Sequence, residues 1–528
     1  MQESSPKSPR EQQYAASIDA LNRGDWKTAQ RLAMELLRDA PPHPGVCFVA
    51  GVAARELLQI PLAIQCLEQA VRLNSTRPDY IAQLARAWAQ ASEPGRAVEL
   101  ADRAASMHIE DPVALDALGL AYTQGHQYAK ASEMFGRVAS MQPDVARFRF
   151  NYAASLVQAG DVDGAERELT ACIKTDPRYW KAYALRSQLR RQTPESNHVA
   201  DLEELLAKAD GDAEALLSLN IALSKELEDL GSYEKSLDRL SEGKAALRRG
   251  RLYSSERDRE LFEALKQFAP MPDVTGFRGA NPIFVFGLPR TGTTLVDRIL
   301  SSHSQVRSAG ELQTFGVAFK RATGSRTPPI LDLDTVQRTP GVDWLRLGQQ
   351  YMAGARTAAG DAPRFVDKLP HNFLYAGHIA AALPDASLIC LRRDPMDSCL
   401  SNFRQLFAAT AHYDYSLDLL DIGHYYLMFD DLMRFWRERF PGRILEVDYE
   451  AIVDDLEGNA RKIVAFCGLG WEDSCLRFEE NDAPVATASA LQVRSPIYRS
   501  SIGRWKRYGD KVDALREVLE EGGVQVSG

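Results

Sequence analysis

No apolar run in this 528-residue chain approaches 18 residues without a charge, so the sequence offers no membrane span. Cysteine is scarce: seven residues, widely scattered, with no C-x-x-C pair and no histidine pair beside them. That pattern favours reduced core thiols over a disulfide framework, and a zinc site least of all. The first residues, MQESSPKSPREQQY, lack the apolar core of a secretory leader. A basic excess is missing too, and the formal net charge of −9 speaks against a nucleic-acid coat. The expectation is a cytoplasmic protein with no nucleic-acid partner and no membrane span. What is present, 45% hydrophobic and 26% charged residues, is the composition of globular protein. The length predicts two or three folding units.

Small residues recur every 34 positions at Ala29, Ala63, Ala97, Ala131 and Ala165. Twelve residues before each stands another small one: Ser17, Gly51, Ala85, Gly119 and Ala153. This period marks helix–turn–helix repeats of the tetratricopeptide (TPR) type, in which paired helices cross where bulk would force them apart. Prolines at Pro44, Pro78, Pro112, Pro143 and Pro177 are expected to close each repeat. Turns such as Arg23-Gly24-Asp25 and Ala159-Gly160-Asp161 join the two helices of a pair. Five regular repeats continue as less regular helices to about residue 250. Such an array offers a concave face to a protein partner, or serves only as a scaffold. A helix from Ser254 to Phe268 and a Pro/Gly-rich linker from Pro270 to Pro282 follow.

After the linker the pattern changes. Phe284 to Leu300 reads FVFGLPRTGTTLVDRIL, an apolar strand, a glycine-bounded turn and a helix with apolar positions at Leu295, Val296, Ile299 and Leu300. The turn is an anion cradle, because unpaired N–H groups and the helix dipole converge there. Gly287 and Gly292 keep nucleotide P-loop spacing, but Thr293-Thr294 stands where a Lys-Ser/Thr would hold phosphate and Mg²⁺. Arg290 supplies the charge instead. Candidate strands at Ile283–Phe286, Arg364–Val366, Ser387–Leu391 and Ile444–Val447 alternate with helices, as in a covered parallel sheet. The fourth strand of the pattern ends in Val447-Asp448-Tyr449-Glu450, and the third in Arg392-Arg393, where a Walker-type strand would end in an acid facing Mg²⁺. Two arginines there point to an anion.

From about Asn281 to Tyr508 these residues resemble sulfotransferases that use 3′-phosphoadenosine 5′-phosphosulfate (PAPS), and P-R-T-G-T-T is similar to the P-R-S-G-T-T of the protein-tyrosine sulfotransferase branch. The resemblance implies a P-loop-like α/β domain with Arg290, Thr291, Gly292, Thr293 and Thr294 around the phosphosulfate. It implies Arg393 and Ser401, eight residues apart, on the 3′-phosphate. Glu311, in Val306-Arg307-Ser308-Ala309-Gly310-Glu311, matches the V-R-C-G-E of that branch with one residue inserted, and the matching Glu is its general base. A carboxylate taking the proton of an attacking hydroxyl contributes about 10²–10⁴-fold. Lys368, in Asp367-Lys368-Leu369-Pro370-His371-Asn372, falls on the lysine beside the leaving phosphate oxygen. Tyr449, Ser489 and Arg504 fall on further nucleotide contacts. His371 is the alternative base.

Two departures stand out. Gln405 replaces a nucleotide-binding arginine, with Arg404 adjacent but about 100° away on a helix. Thr314 replaces an acceptor-binding arginine, so acceptor identity does not carry over.

The expected fold is therefore an N-terminal TPR α-solenoid followed by an α/β sulfotransferase domain with a parallel central sheet. The expected boundaries are 1–13 polar tail, 14–250 solenoid, 251–280 connecting helix and linker, 281–510 sulfotransferase domain and 511–528 C-terminal helix and tail. The expected chemistry is sulfuryl transfer from PAPS to an acceptor hydroxyl without a metal, with Glu311, Lys368 and Arg290 as the catalytic set. A tyrosyl peptide, a carbohydrate and a small phenol remain open as acceptors. The rival classes are a P-loop kinase, which the missing Gly-Lys-Ser/Thr opposes, and a TPR adaptor with an inert nucleotide-binding domain.

Overall fold

The computed structural model describes residues 8–526, apart from 40, 92, 126, 210, 272, 280, 361, 408–410 and 482–498. The chain divides into two compact units, Met1–Ala182 and Tyr183–Gly528.

The first unit is a run of helix pairs: Pro9–Asn22 with Trp26–Asp39 (α1, α2), Pro44–Glu56 with Ile60–Leu73 (α3, α4), Pro78–Gln90 with Pro94–Ala105 (α5, α6), Pro112–Gln124 with Tyr128–Met141 (α7, α8) and Ala146–Ala159 with Val162–Thr175 (α9, α10). All ten small residues of the 34-residue pattern are buried. A Cβ added at Gly51 would come within 2.6 Å of Leu67, and one at Gly119 within 2.5 Å of Phe135. Both clashes are with the second helix of the same pair, so the period records close helix crossings. Gly24 and Gly160 make their turns at φ 75° and 87°, a conformation that costs glycine little. Three of the five prolines act differently from expectation. Pro44, Pro78 and Pro112 are the first residues of helices, where the N–H that proline lacks would have no intrahelical partner anyway. They open the next repeat; they do not close the last one.

Helix Trp180–Leu189 (α11) contains the division between the units. The second unit continues with Val199–Ala207 (α12) and a long hairpin, Ala213–Asp229 (α13) and Tyr233–Arg248 (α14), then Ser255–Gln267 (α15). The hairpin that the sequence groups with the solenoid thus packs within the unit that holds the sheet.

That sheet has five parallel strands in the order β2-β3-β1-β4-β5: β1 Ile283–Gly287, β2 Val306–Ser308, β3 Arg364–Asp367, β4 Ser387–Arg392 and β5 Ile444–Asp448. The three-residue edge strand β2 was not foreseen. Alternation assigns the two faces. Phe284, Phe286, Leu388 and Cys390 join one core with Thr314–Thr323 (α16), Trp344–Ala359 (α17) and Leu419–Arg439 (α18). Ile283, Val285, Ile389 and Leu391 join the other with Thr293–Ser301 (the cradle helix) and Leu456–Phe466. Strands buried on both faces explain why β1 reads as a continuous apolar run. The strand order reverses between β1 and β4, the switch point where α/β sheets hold ligands.

Candidate functional site

Gly287 ends β1 at φ 153°, and a Cβ there would lie 2.4 Å from the Leu391 carbonyl of β4. Only glycine allows the two strand ends to approach so closely. Arg290 follows in the turn at φ 70°, a left-handed conformation that costs a non-glycine residue free energy and recurs at functional loops. Thr291 braces the turn by donating to the Leu288 carbonyl at 2.8 Å. Gly292, at φ 100°, caps the cradle helix, and a Cβ there would come within 2.6 Å of the Tyr449 ring. Thr291, Thr293 and Thr294 are buried. Asn402 ties the turn to the helix after β4 by donating to the Pro289 carbonyl at 2.6 Å.

Across the switch point stands Arg393, directly after β4. Its Nη1 donates to the Arg290 carbonyl at 3.0 Å and to Ser401 Oγ at 3.3 Å, and its Nη2 to the Ser501 carbonyl at 2.6 Å. Its guanidinium lies 5.0 Å from the centre of the Tyr449 ring, and the Tyr449 hydroxyl meets Ser501 Oγ at 3.0 Å. Among the described residues, buried Arg393 Nε has no hydrogen-bond partner, so this cluster retains a donor that an anion would satisfy. Ser401 reaches Arg393 because helix Pro395–Phe403, capped by Asp394 accepting from the Asp397 amide at 2.9 Å, turns it back over two turns. Arg290, Thr291, Gly292, Arg393, Ser401 and Tyr449 are therefore brought together around one turn.

Glu311 and Lys368 form a second cluster. They follow the adjacent parallel strands β2 and β3, and Lys368 Nζ donates to Glu311 Oε1 in an ion pair. Lys368 is 2% exposed and Glu311 33%, so the lysine is held in the wall while the carboxylate faces outward. Asp297, on the cradle helix and fully enclosed, accepts from Ser308 Oγ at 3.0 Å. Burial raises its pKa, and the nearby Lys368 charge opposes that rise. Asp297 thus relates the cradle helix electrostatically to the Lys368–Glu311 pair, a link that no sequence pattern announced. Asp367, beside Lys368, accepts from Tyr351 at 2.9 Å and Asn372 at 3.2 Å, and burial pushes its pKa up to about 7.

Glu311 lies within electrostatic reach of an aromatic group. Its charge raises the pKa of the Tyr413 phenol further above what burial already does. Tyr413 stacks on Phe407 at 4.4 Å and meets the His371 ring edge-on at 4.8 Å. His371 is enclosed, and burial pushes its pKa down to about 3. An imidazole that accepts a proton only in strong acid makes a poor general base near neutrality.

The remaining positions named from the sequence make other contacts or fall outside the described residues. Arg504, together with Arg404, is ion-paired to Glu228 of α13, and Gln405 donates to the Leu406 carbonyl at 3.1 Å. Ser489 lies outside the described residues. Among the described residues, no group of three or more His, Cys, Asp or Glu side chains is placed to hold a metal ion. No helix among them is long and apolar enough to cross a membrane.

The sulfotransferase family model matches residues 282–473, and a tetratricopeptide repeat model matches 122–189. An uncharacterized protein of Aquifex aeolicus is 31% identical over 387 residues, 70% of this chain and 49% of that protein. Protein-tyrosine sulfotransferase A of Caenorhabditis elegans is 24% identical over 254 residues, 44% of this chain and 62% of the enzyme. The chain therefore spans about half to three fifths of the length of these two relatives. The solved sulfotransferase domain from the curacin biosynthetic pathway, 16% identical, covers 47% of this chain and 100% of its own, with a TM-score of 0.33.

Proposed function

Because this chain joins tetratricopeptide repeats to a sulfotransferase-family domain, we propose that it transfers a sulfuryl group from PAPS to an acceptor hydroxyl. The observation that carries this reading is the Arg393 cluster at the switch point. One guanidinium with a buried donor, a serine hydroxyl and a threonine-rich turn meet there, and that donor set fits a polyanionic nucleotide.

In this reading Arg290 and the Thr291–Thr294 turn hold the phosphosulfate, and Arg393 with Ser401 holds the 3′-phosphate beside Tyr449. Ser489 and Arg504 complete the donor set only by resemblance. Glu311, the more exposed member of its ion pair, takes the proton of the acceptor hydroxyl as the S–O bond forms. Lys368 then faces negative charge growing on the phosphate side, and with Arg290 it stabilises that charge from a fixed position. Arginine and lysine supply the electrostatic clamp, so the scheme calls for no metal. Tyr413, which feels the Glu311 charge and packs with Phe407 and His371, favours an aromatic hydroxyl, with a protein tyrosine among the candidates. The repeats, a protein-interaction architecture, offer a face for a peptide or protein partner. We place the protein in the cytoplasm on the strength of its reduced, scattered cysteines, all seven free and buried.

The test is transfer of label from [³⁵S]PAPS to a panel of tyrosyl peptides, small phenols and carbohydrates. Label on a phenolic acceptor, abolished by Arg393→Ala, is the expected result. Nucleotide binding that occurs only with Mg²⁺, or phosphate transfer from ATP, would overturn the reading in favour of a kinase.

A further inference from the structure

Glu228 on α13 stands outside the anion cluster yet joins two of the segments that build it. Its side chain is 4% exposed, and its oxygens are shared between two arginines: Oε2 accepts from Arg404 and Oε1 from Arg504. Burial alone would raise its pKa, but the two guanidiniums hold it below the usual carboxylate range. Arg404 follows Ser401 by three residues, at the end of helix Pro395–Phe403. Arg504 follows Ser501 by three residues, at the start of the turn Arg504–Val512. Ser501 is the residue whose carbonyl accepts from Arg393 and whose hydroxyl meets Tyr449. On the inner side of the same turn, Asp397 accepts from the Gly503 amide at 2.6 Å and the Trp505 amide at 3.1 Å.

We propose that Glu228 is a positioning residue for the donor site, pinning the Ser501–Tyr508 segment against Arg393 by neutralising Arg404 and Arg504 together. This rests on the sulfotransferase reading of that site. Without the carboxylate, two guanidiniums on separate segments would face each other and push apart, carrying Ser501 away from Arg393 and Tyr449. The rest of the hairpin is seated in the same way. Fully buried Lys244 donates to the carbonyls of Gln405 at 3.0 Å and Ser416 at 2.7 Å. Arg248 pairs with Asp418 and Asp421, each at 2.6 Å, and Asp238 with Lys511 at 2.7 Å. The hairpin thus holds both the segment after Ser401 and the segment after Ser501. It belongs to the site, although it precedes the cradle by more than 40 residues of sequence.

The opposite role is conceivable for such a carboxylate: occupying the arginines until an anion displaces it. The two roles differ in sign, so Glu228→Gln, which keeps the shape and removes the charge, separates them. In the full chain, calorimetry with 3′-phosphoadenosine 5′-phosphate should show about tenfold weaker binding in the variant, the loss of one well-placed charged contact. Hydrogen exchange on the ligand-free protein should show faster exchange across residues 501–508, with the cradle helix unchanged. Glu228→Asp, one methylene shorter, reaches one arginine only and should be intermediate in both readouts, which keeps the question open to test where the Gln variant folds poorly. Tighter nucleotide binding in the Gln variant would overturn the proposal in favour of competition. Unchanged affinity with unchanged exchange would overturn it outright. Where the unmodified protein binds no nucleotide, the sulfotransferase reading falls, and unaltered exchange at 501–508 would by itself refute the pinning.

Discussion

Glu311→Gln isolates the proposed proton acceptor from everything else at the site. The carboxylate is one-third exposed and accepts from Lys368, which is enclosed. Converting it to an amide keeps the side chain's shape and one acceptor oxygen. Lys368 does not become an unbalanced buried charge, because the carboxylate of Asp297 lies close enough to feel it. The fold should therefore survive, with a stability loss of about 1–3 kcal/mol, since Lys368 is enclosed and only Glu311 reaches solvent. The Arg393 cluster does not involve Glu311, so affinity for 3′-phosphoadenosine 5′-phosphate should stay within about threefold. Turnover at saturating donor and acceptor should fall about 10²-fold or more, which is about 2.7 kcal/mol of barrier. The pair of measurements is calorimetry for the nucleotide and label transfer for the rate. An unchanged rate at saturation would refute the assignment and direct attention to His371, whose ring lies beside Tyr413. Loss of affinity and rate together would mean that Glu311 organises the donor site and is not the base.

Arg393→Ala removes three hydrogen bonds and a charge from the anion cluster and should weaken nucleotide binding by roughly 1.5–3 kcal/mol, measured by calorimetry in EDTA. His378 is enclosed by Phe319, Trp344 and Trp436, and burial pushes its pKa down to about 3. Its unfolded form binds a proton between about pH 6.5 and 3 that the folded form refuses, so stability is lost as pH falls through that window. His378→Phe should consequently gain stability over the parent increasingly below pH 6.5 in chemical unfolding, and a constant difference across pH would contradict this. Deleting residues 1–182 should raise KM for a protein acceptor far more than for a small phenol if the repeats deliver the acceptor. An equal loss on both acceptors would reduce the repeats to a stabilising arm.

The repeats were the most legible part of the sequence, because close helix crossings demand small residues at a fixed interval and the interval survives without an alignment. The cradle was legible for a similar reason: Gly287, Arg290 and Gly292 occupy backbone positions that few residues tolerate. That the parallel sheet is covered on both faces also followed from the strand patterns. Edge strand β2 was missed because three residues, Val306–Ser308, carry no period. The prolines at Pro44, Pro78 and Pro112 were placed at the correct junctions but assigned the wrong side, since a stop for one helix and a start for the next look alike in sequence. Glu228 and Lys244 were illegible in principle. Their roles depend on Arg404, Arg504, Gln405 and Ser416, at least 160 residues downstream, and no local pattern encodes a partner at that distance. For the same reason a deletion that tests the repeats should end at 182. One that ends near 250 would also remove Glu228, Lys244 and Arg248.

The proposed site draws on the end of every strand of the sheet: the Arg290 turn after β1, Glu311 after β2, Lys368 after β3, Arg393 after β4 and Tyr449 after β5. Glu311 meets Lys368 because the strand pairing carries on toward it. The pairing of β2 with β3 does not stop at Ser308. The Ala309 amide donates to the Val366 carbonyl at 2.8 Å, and the Lys368 amide donates to the Gly310 carbonyl at 2.9 Å. Gly310, at φ 76°, then turns the chain. Ala309 and Gly310 thus extend the ladder and turn the chain, and Glu311 reaches Lys368. What the fold constrains is the meeting of neighbouring strand ends, and the spacing along the chain can vary as long as that meeting is kept. Gly310→Ala should therefore act on the Lys368–Glu311 pair through the backbone, because a side chain at positive φ is strained. A fall in turnover with nucleotide affinity preserved is the expected signature, and full activity in that variant would show that the pair forms without the turn.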